Sequence, residues 1–146
     1  MPLPPDETFE FFADARNLER ITPPWLHFRV LSTTPIEMGP GTLISYRLRL
    51  HGVPVRWLTE IREWRPIEGF RDVQVSGPYS LWDHEHRFRP DGAGGTLIED
   101  RVRYAIPLGP LGRIARRLFV GRDLERIFDH RAAAVEKLLA PGSAAS

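Results

Sequence analysis

The chain has 146 residues, enough for one domain with a real core, and its 42% hydrophobic and 27% charged content is that of a globular protein. A net charge of +1 gives no field that would draw nucleic acid or an anionic membrane, and the absence of cysteine excludes disulfides, thiol nucleophiles and thiolate metal sites. No apolar run reaches the length of a membrane span and no signal peptide is evident, so a cytoplasmic protein is expected.

Residues 1–5 are short and proline-rich. Asp6 is placed to cap a helix anchored by Phe9, Phe11, Phe12 and Leu18. Residues 14–17 break it, residues 17–21 make a second helical turn, and Pro23-Pro24 stops that. Residues 27–33 read as a strand and residues 39–41 as a turn. Residues 42–50 alternate, with Ile44, Tyr46, Leu48 and Leu50 on one face and Ser45, Arg47 and Arg49 on the other. Residues 52–54 turn, and residues 55–64 return with Val55, Trp57, Thr59 and Ile61 on one face. After a turn at 66–69, residues 70–76 form a strand whose inward face is either Phe70, Asp72 and Gln74 or Val73 and Val75.

Residues 77–104 carry the most informative pattern, two alternating strands around Asp91-Gly92-Ala93-Gly94-Gly95. Trp82, His84, His86 and Phe88 share one face of the first strand; Thr96, Ile98, Asp100, Val102 and Tyr104 share one face of the second. Closing the loop with Phe88 opposite Thr96 sets His86 against Ile98, His84 against Asp100 and Trp82 against Val102. On the outer face this register opposes Asp83 and Arg101 as an exposed pair. From residue 112 to Leu139 the period is helical, through Ile114, Leu118, Leu124, Ile127, Phe128, Val135, Leu138 and Leu139, with Gly121 dividing a short helix from a longer one and Asp123, Glu125 and Arg126 facing solvent. Arg113, Arg116, Arg117 and Arg122 read as a solvated helix face rather than a membrane anchor. Residues 1–140 form one domain and residues 141–146 a disordered tail.

The class is α+β: two short N-terminal helices, then a curved antiparallel sheet of about six strands, then a long C-terminal helix. An amphipathic helix laid over a concave sheet buries its stripe and leaves a cavity between the two.

The spacing of Phe11-Phe12, residues 17–26 (NLERITPPWL), Gly41-Thr42, Tyr46, Pro54, Trp57, Phe70, Asp72 and Gln74 is specific. So is that of Gly77-Pro78-Tyr79, Trp82, His84, His86, Phe88, Gly95-Thr96, Asp100, Val102, Tyr104, Pro107, Ile127-Phe128 and Arg131. Over nearly the whole chain this pattern resembles the START-like, helix-grip (SRPBCC) superfamily, which includes the birch-pollen-allergen fold and polyketide cyclase-like proteins. Within it the chain resembles a bacterial ligand-binding or cell-division-inhibitor-like subgroup, whose members occur alone or fused to a nucleotide-sugar-epimerase-like domain. The resemblance implies a helix-grip fold, an apolar small-molecule ligand, no cofactor, and an epimerase-like protein as a partner. It departs in one respect: the fold usually opens with a full strand, and here only residues 1–5 remain, so either that edge is stunted or the start lies downstream of the true one; a shortened first strand would expose its neighbour's edge to aggregation or homodimer pairing.

Three functions fit these residues. In the first, a hydrophobic or polycyclic molecule sits in the cavity, walled by Tyr46, Trp57, Trp82, Tyr104 and Phe128 and oriented by Asp72, Gln74, His84, His86 and Asp100. In the second, His84 and Asp100 are the acid/base pair of a cyclase- or dehydratase-type enzyme. In the third, the chain is an accessory domain of an epimerase-like protein. His84 and His86 at i, i+2 with Asp72 or Asp100 could also form a facial metal triad, but two histidines on a strand are weak evidence, and no metal is expected.

Overall fold

The computed structural model describes residues 1–33, 36–107, 109–111 and 120–139. The helices are α1 (Pro5–Ala13), α2 (Asn17–Ile21) and α3 (Gly121–Leu138), with a 3-10 turn at Pro24–Leu26. The strands are β1 (Arg29–Val30), β2 (Leu43–Leu50), β3 (Val53–Arg65), β4 (Gly69–Ser76), β5 (Leu81–Pro90) and β6 (Thr96–Ala105). They form one antiparallel sheet in sequence order, β1 to β6. No helix among the described residues is long and apolar enough to cross a membrane. The basic cluster at Arg113, Arg116 and Arg117, and the tail at 141–146, lie outside the described residues.

Helix α1 starts at Pro5, so Asp6 lies in its first turn and is not its cap. Proline suits that position: its fixed φ is helical, and its missing N–H has no intrahelical partner to lose. Asp6 and Glu7 then complement the helix dipole from within the first turn. Phe9 and Phe12, one turn apart, point onto the sheet, where the Phe9 ring meets Phe88 edge-on at 5.8 Å. With Ile21, Ile44, Ile61, Phe70 and Val135 they form the core. Each such side chain stabilises the fold by about 1.5–3 kcal/mol.

Residues 1–5 contribute a single rung beside β6. The Met1 amino group donates to the Thr96 carbonyl at 3.1 Å, and the Thr96 amide donates to the Met1 carbonyl at 2.9 Å. Strand β1 is likewise shorter than residues 27–33 predict; His27 takes a left-handed conformation, φ 46°, and turns the chain just before it. In β4 the inward face is Phe70 and Asp72, while Val75 is exposed.

The β5–β6 register differs from the sequence expectation by two residues. Pro90 lies opposite Thr96, Phe88 opposite Ile98, His86 opposite Asp100, His84 opposite Val102 and Trp82 opposite Tyr104. The turn explains this. The Asp91 amide donates to the Gly95 carbonyl at 3.0 Å, and the Asp91 carboxylate accepts from the amides of Ala93 and Gly95 at 2.7 and 2.9 Å. The loop therefore closes on residues 91–95 alone, and both strands run up to it.

The same shift replaces the expected Asp83–Arg101 pair. Asp83 faces Arg103 on β6 and Arg71 on β4. Arg71 Nε and Nη2 donate to its two carboxylate oxygens at 2.8 and 2.6 Å, and Arg103 Nη2 donates at 2.7 Å. The Asp83 side chain is only 7% exposed, so this is a three-strand clasp on the outer face rather than a solvated pair. The hydrogen bonds of Arg71, with Arg103 and both charges adding, overcome burial and pull the Asp83 carboxyl down to about 2. A depressed carboxylate stabilises the fold above its unfolded value, and that stability is lost as pH falls through the folded one. Asp83→Asn should therefore cost about 1–2 kcal/mol near neutral pH, discounted for the solvent-open Arg103. In urea titrations the gap from wild type should close between about pH 4 and pH 2; a gap independent of pH would refute the clasp.

Candidate functional site

Side chains two residues apart share a strand face, so Asp72 on β4, His84 and His86 on β5, and Asp100 on β6 all project from the concave side. Directly across the ladders, Asp72 opposes His84, and His86 opposes Asp100. The shortest aligned bonds are diagonal: His86 Nε2 with Asp72 Oδ2 at 2.9 Å, and His84 Nε2 with Asp100 Oδ1 at 2.9 Å. The two imidazoles lie against each other, centroids 3.7 Å apart. His86 Nδ1 comes within 2.9 Å of Asp100 Oδ1, but misaligned, and makes no hydrogen bond. His84 Nδ1 is 3.9 Å from Asp72 Oδ2. The His84–Asp100 contact expected from sequence thus exists, but as a diagonal and inside a four-residue network.

Burial alone would neutralise both histidines. For His84 burial dominates, and the neighbouring His86 adds to it, so its pKa falls despite Asp100 and Asp72. For His86 burial also pulls downward, but the two flanking carboxylates outweigh it and its pKa rises. Burial would raise Asp100 and Asp72; the imidazoles overcome it and hold both carboxyls below the ordinary range, with Arg131 also helping at Asp72. The surroundings therefore favour the ionised form of both carboxyls, the protonated form of His86 and the neutral form of His84. With the Nε2 proton of His84 given to Asp100, its lone pair is on Nδ1. Tyr46, raised by burial and by the charge of Asp72, stays a neutral phenol. Tyr79 is pushed up to about 12, mainly by burial.

Above the network lies an inner cavity of about 160 Å³, bounded by the sheet, the N-terminal helices and α3. Tyr46, Trp57, Asp72, Trp82, His84, His86 and Phe128 line it. Asp100, Tyr104 and Phe128 line a wider groove of about 740 Å³ between β6 and α3. Phe12, Leu124, Phe128 and Arg131 border both spaces. Phe128 roofs the histidines, its ring perpendicular to that of His84 at 5.5 Å. Gln74 borders neither space: its amide donates to the Tyr79 carbonyl at 2.8 Å and accepts from the Tyr79 amide at 3.1 Å, holding the loop after β4.

Sequence reasoning did not single out Tyr79 or Arg131 as cavity residues. Tyr79 belongs to a loop and reaches the cavity by packing on Trp57 and Trp82, at 5.5 and 5.0 Å. Arg131 was legible in principle, since it follows Phe128 by three residues and so shares its helix face.

Asp72, His84 and His86 offer three ligand atoms within 4.8 Å of one another, a set that could hold a divalent cation. Two of the four ring nitrogens are hydrogen-bonded to carboxylates, so an incoming cation would displace those bonds. As the residues stand, the arrangement suits proton transfer and the orientation of a polar group at the end of an apolar space.

Residues 1–130 match the family model described as polyketide cyclase / dehydrase and lipid transport. The chain belongs to this family. Solved structures of related fold agree with the architecture. The protein TTHA0849 from Thermus thermophilus is 21% identical, with a TM-score of 0.72 over 93% of this chain and 89% of that one. A START superfamily protein from Mycobacterium smegmatis is 15% identical, with a TM-score of 0.67 over 94% and 93%. Ara h 8.0201 is 17% identical, with a TM-score of 0.62 over 92% and 89%. At such identities these structures establish the START-like fold of the family and not its chemistry. No functionally curated protein is similar enough to count as a match. Membership suggests the binding of a hydrophobic small molecule.

Nitrogen-detected NMR of the imidazoles tests the charge assignment. At the ordinary imidazole midpoint, about pH 6.5, His86 should still carry both protons and His84 only one. By linkage, the stabilisation from a raised His86 is complete below that pH and is lost as pH rises through its own higher pKa. Coincident, unshifted titration of the two rings would contradict the network.

Proposed function

We propose that the protein binds one hydrophobic or polycyclic small molecule, its apolar body against the aromatic wall and a polar group toward the His84–His86 floor. The observation that carries this reading is the pairing of an apolar space with a buried charged network at its base. Desolvation makes a buried ion network no better than neutral for stability, so its place beneath an apolar space supports a role toward a ligand besides any role in register. Trp57, Trp82 and Tyr79 supply flat apolar surface, packed at 5.0–5.5 Å from one another. The inner cavity alone is about the size of a site for one aromatic ring. A larger ligand would extend past Phe128 and Leu124 into the groove along β6.

A second reading rests on the charge pattern: a neutral His84 held by Asp100 beside a protonated His86 is an acid/base pair. His84 would take a proton from carbon next to a ligand carbonyl, and His86 or Tyr46 would donate to the enolate oxygen, the first half of an aldol-type cyclisation or a dehydration.

Native mass spectrometry of gently purified protein, followed by denaturing extraction, tests for a bound apolar compound. Under the binding reading, His84→Gln should weaken or reorient that ligand about tenfold without abolishing uptake, as loss of one hydrogen bond does. Under the enzyme reading, His84→Gln and Asp100→Asn should each lose orders of magnitude in turnover while ligand still binds; full turnover in both would eliminate it. A clean apo mass together with a co-purifying epimerase-like protein would favour an accessory domain over both.

A further inference from the structure

Two hydrogen-bond donors at the walls of the inner cavity have no acceptor among the described residues, one of them, on Trp57, shut away from the space itself. The indole Nε1 of Trp57 is fully buried and unpartnered among the described residues. Arg131 is half-buried on α3 and has no carboxylate within 4 Å and no hydrogen bond among the described residues; its guanidinium carbon lies 5.5 Å over the Phe128 ring. It lines the inner cavity together with Asp72 and Tyr46 of the sheet. An unmet buried donor costs about 1–3 kcal/mol, more for a charged one. Leu26, Ile44, Leu48 and Ile61 in the remaining walls offer no acceptor. No hydroxyl there accepts from either donor among the described residues; that of Thr22 donates to the Leu18 carbonyl at 2.6 Å.

The carboxylates on the floor do not serve these donors. Asp72 and Asp100 are already held by the two imidazoles. Glu125, Asp129 and Glu136 border only the outer groove and are exposed, where water and salt screen them.

We propose that Arg131 receives the anionic oxygen of the ligand, and that the ligand is an apolar monoanion such as a hydrophobic carboxylic acid. This deepens the binding reading above and rests on it. Arginine suits the role because its planar fork matches a carboxylate and remains charged when desolvated. The acid group would sit beneath Phe128, away from the acidic rim, with the apolar body along the aromatic wall.

Matched probes test this at pH 8: decanoate against decanol, and 2-naphthoate against 2-naphthalenemethanol, by calorimetry and by displacement of a fluorescent apolar dye. Wild type should prefer each acid over its alcohol by about tenfold or more, the effect of one charge-assisted bond. Arg131→Gln should erase that preference by lowering acid affinity far more than alcohol affinity, and Arg131→Lys should keep part of it. Circular dichroism and thermal melts check that each variant is folded. Equal binding of acid and alcohol by wild type, or an equal loss of both in Arg131→Gln, would overturn the inference and leave the apolar-cavity reading standing. If folded wild type binds none of the four probes and no dye, the cavity reading itself falls.

Discussion

The imidazole of His86, held between Asp72 of β4 and Asp100 of β6, is the interaction on which the arrangement of the sheet depends. It joins three strands through one side chain that is 5% exposed. A slip of one residue in either ladder would turn its partner to the opposite face and leave a buried charge alone. Removing one member of such a pair typically costs about 3–5 kcal/mol, although an intact buried pair often contributes little net stability. The network thus acts chiefly as a specificity device for register and places two ionised groups beneath an apolar space. Gly69 is part of this. At φ 153° its backbone passes so close to β5 that a side chain there would strike the His86 carbonyl, so glycine lets β4 approach beside the histidine.

The space exists because α3 is held at its ends and bridges the concave sheet between them. Near its N-terminus Asp123 pairs with His51, in the β2–β3 turn, at 2.6 Å. Along its flank Arg126 lies 5.0 Å over Trp25, and the His130 ring is 5.5 Å from the same indole. Toward its C-terminus Val135 is buried in the core. The polar contacts are exposed and individually weak, about 0–1 kcal/mol. Burial of Val135 supplies the larger share. Between these anchors Leu124, Ile127, Phe128 and Arg131 face a cavity instead of close-packed side chains, and they remain half-buried or border open space. The helix therefore serves as a roof whose inner stripe is available to a ligand.

The two faces of the sheet divide the electrostatic work. Outside, Asp83 is clasped by Arg71 and Arg103 and acts in stability alone. Inside, two carboxylates are matched by imidazoles whose protonation the surroundings shift in opposite directions. Arginine outside gives a permanent charge; histidine inside gives one that protons can change.

Much of this was legible in the amino-acid sequence. Alternation in residues 42–50, 55–64 and 81–104 determined the strands and which side chains share a face, and the helical stripe through Leu124, Phe128 and Val135 determined the element that covers them. That placed His84, His86 and Asp100 together on the concave side. The pairing within that group was decided only by the tertiary structure. A side-chain period of two is unchanged by a shift of two residues, so no hydrophobic pattern distinguishes His84 opposite Asp100 from His86 opposite Asp100; the hydrogen bonds of the Asp91–Gly95 turn made the choice. The same holds for Asp72 against His86, for Asp83 within its clasp, and for Arg131 across the cavity. Each depends on distances between elements far apart in the chain, which local periodicity does not encode.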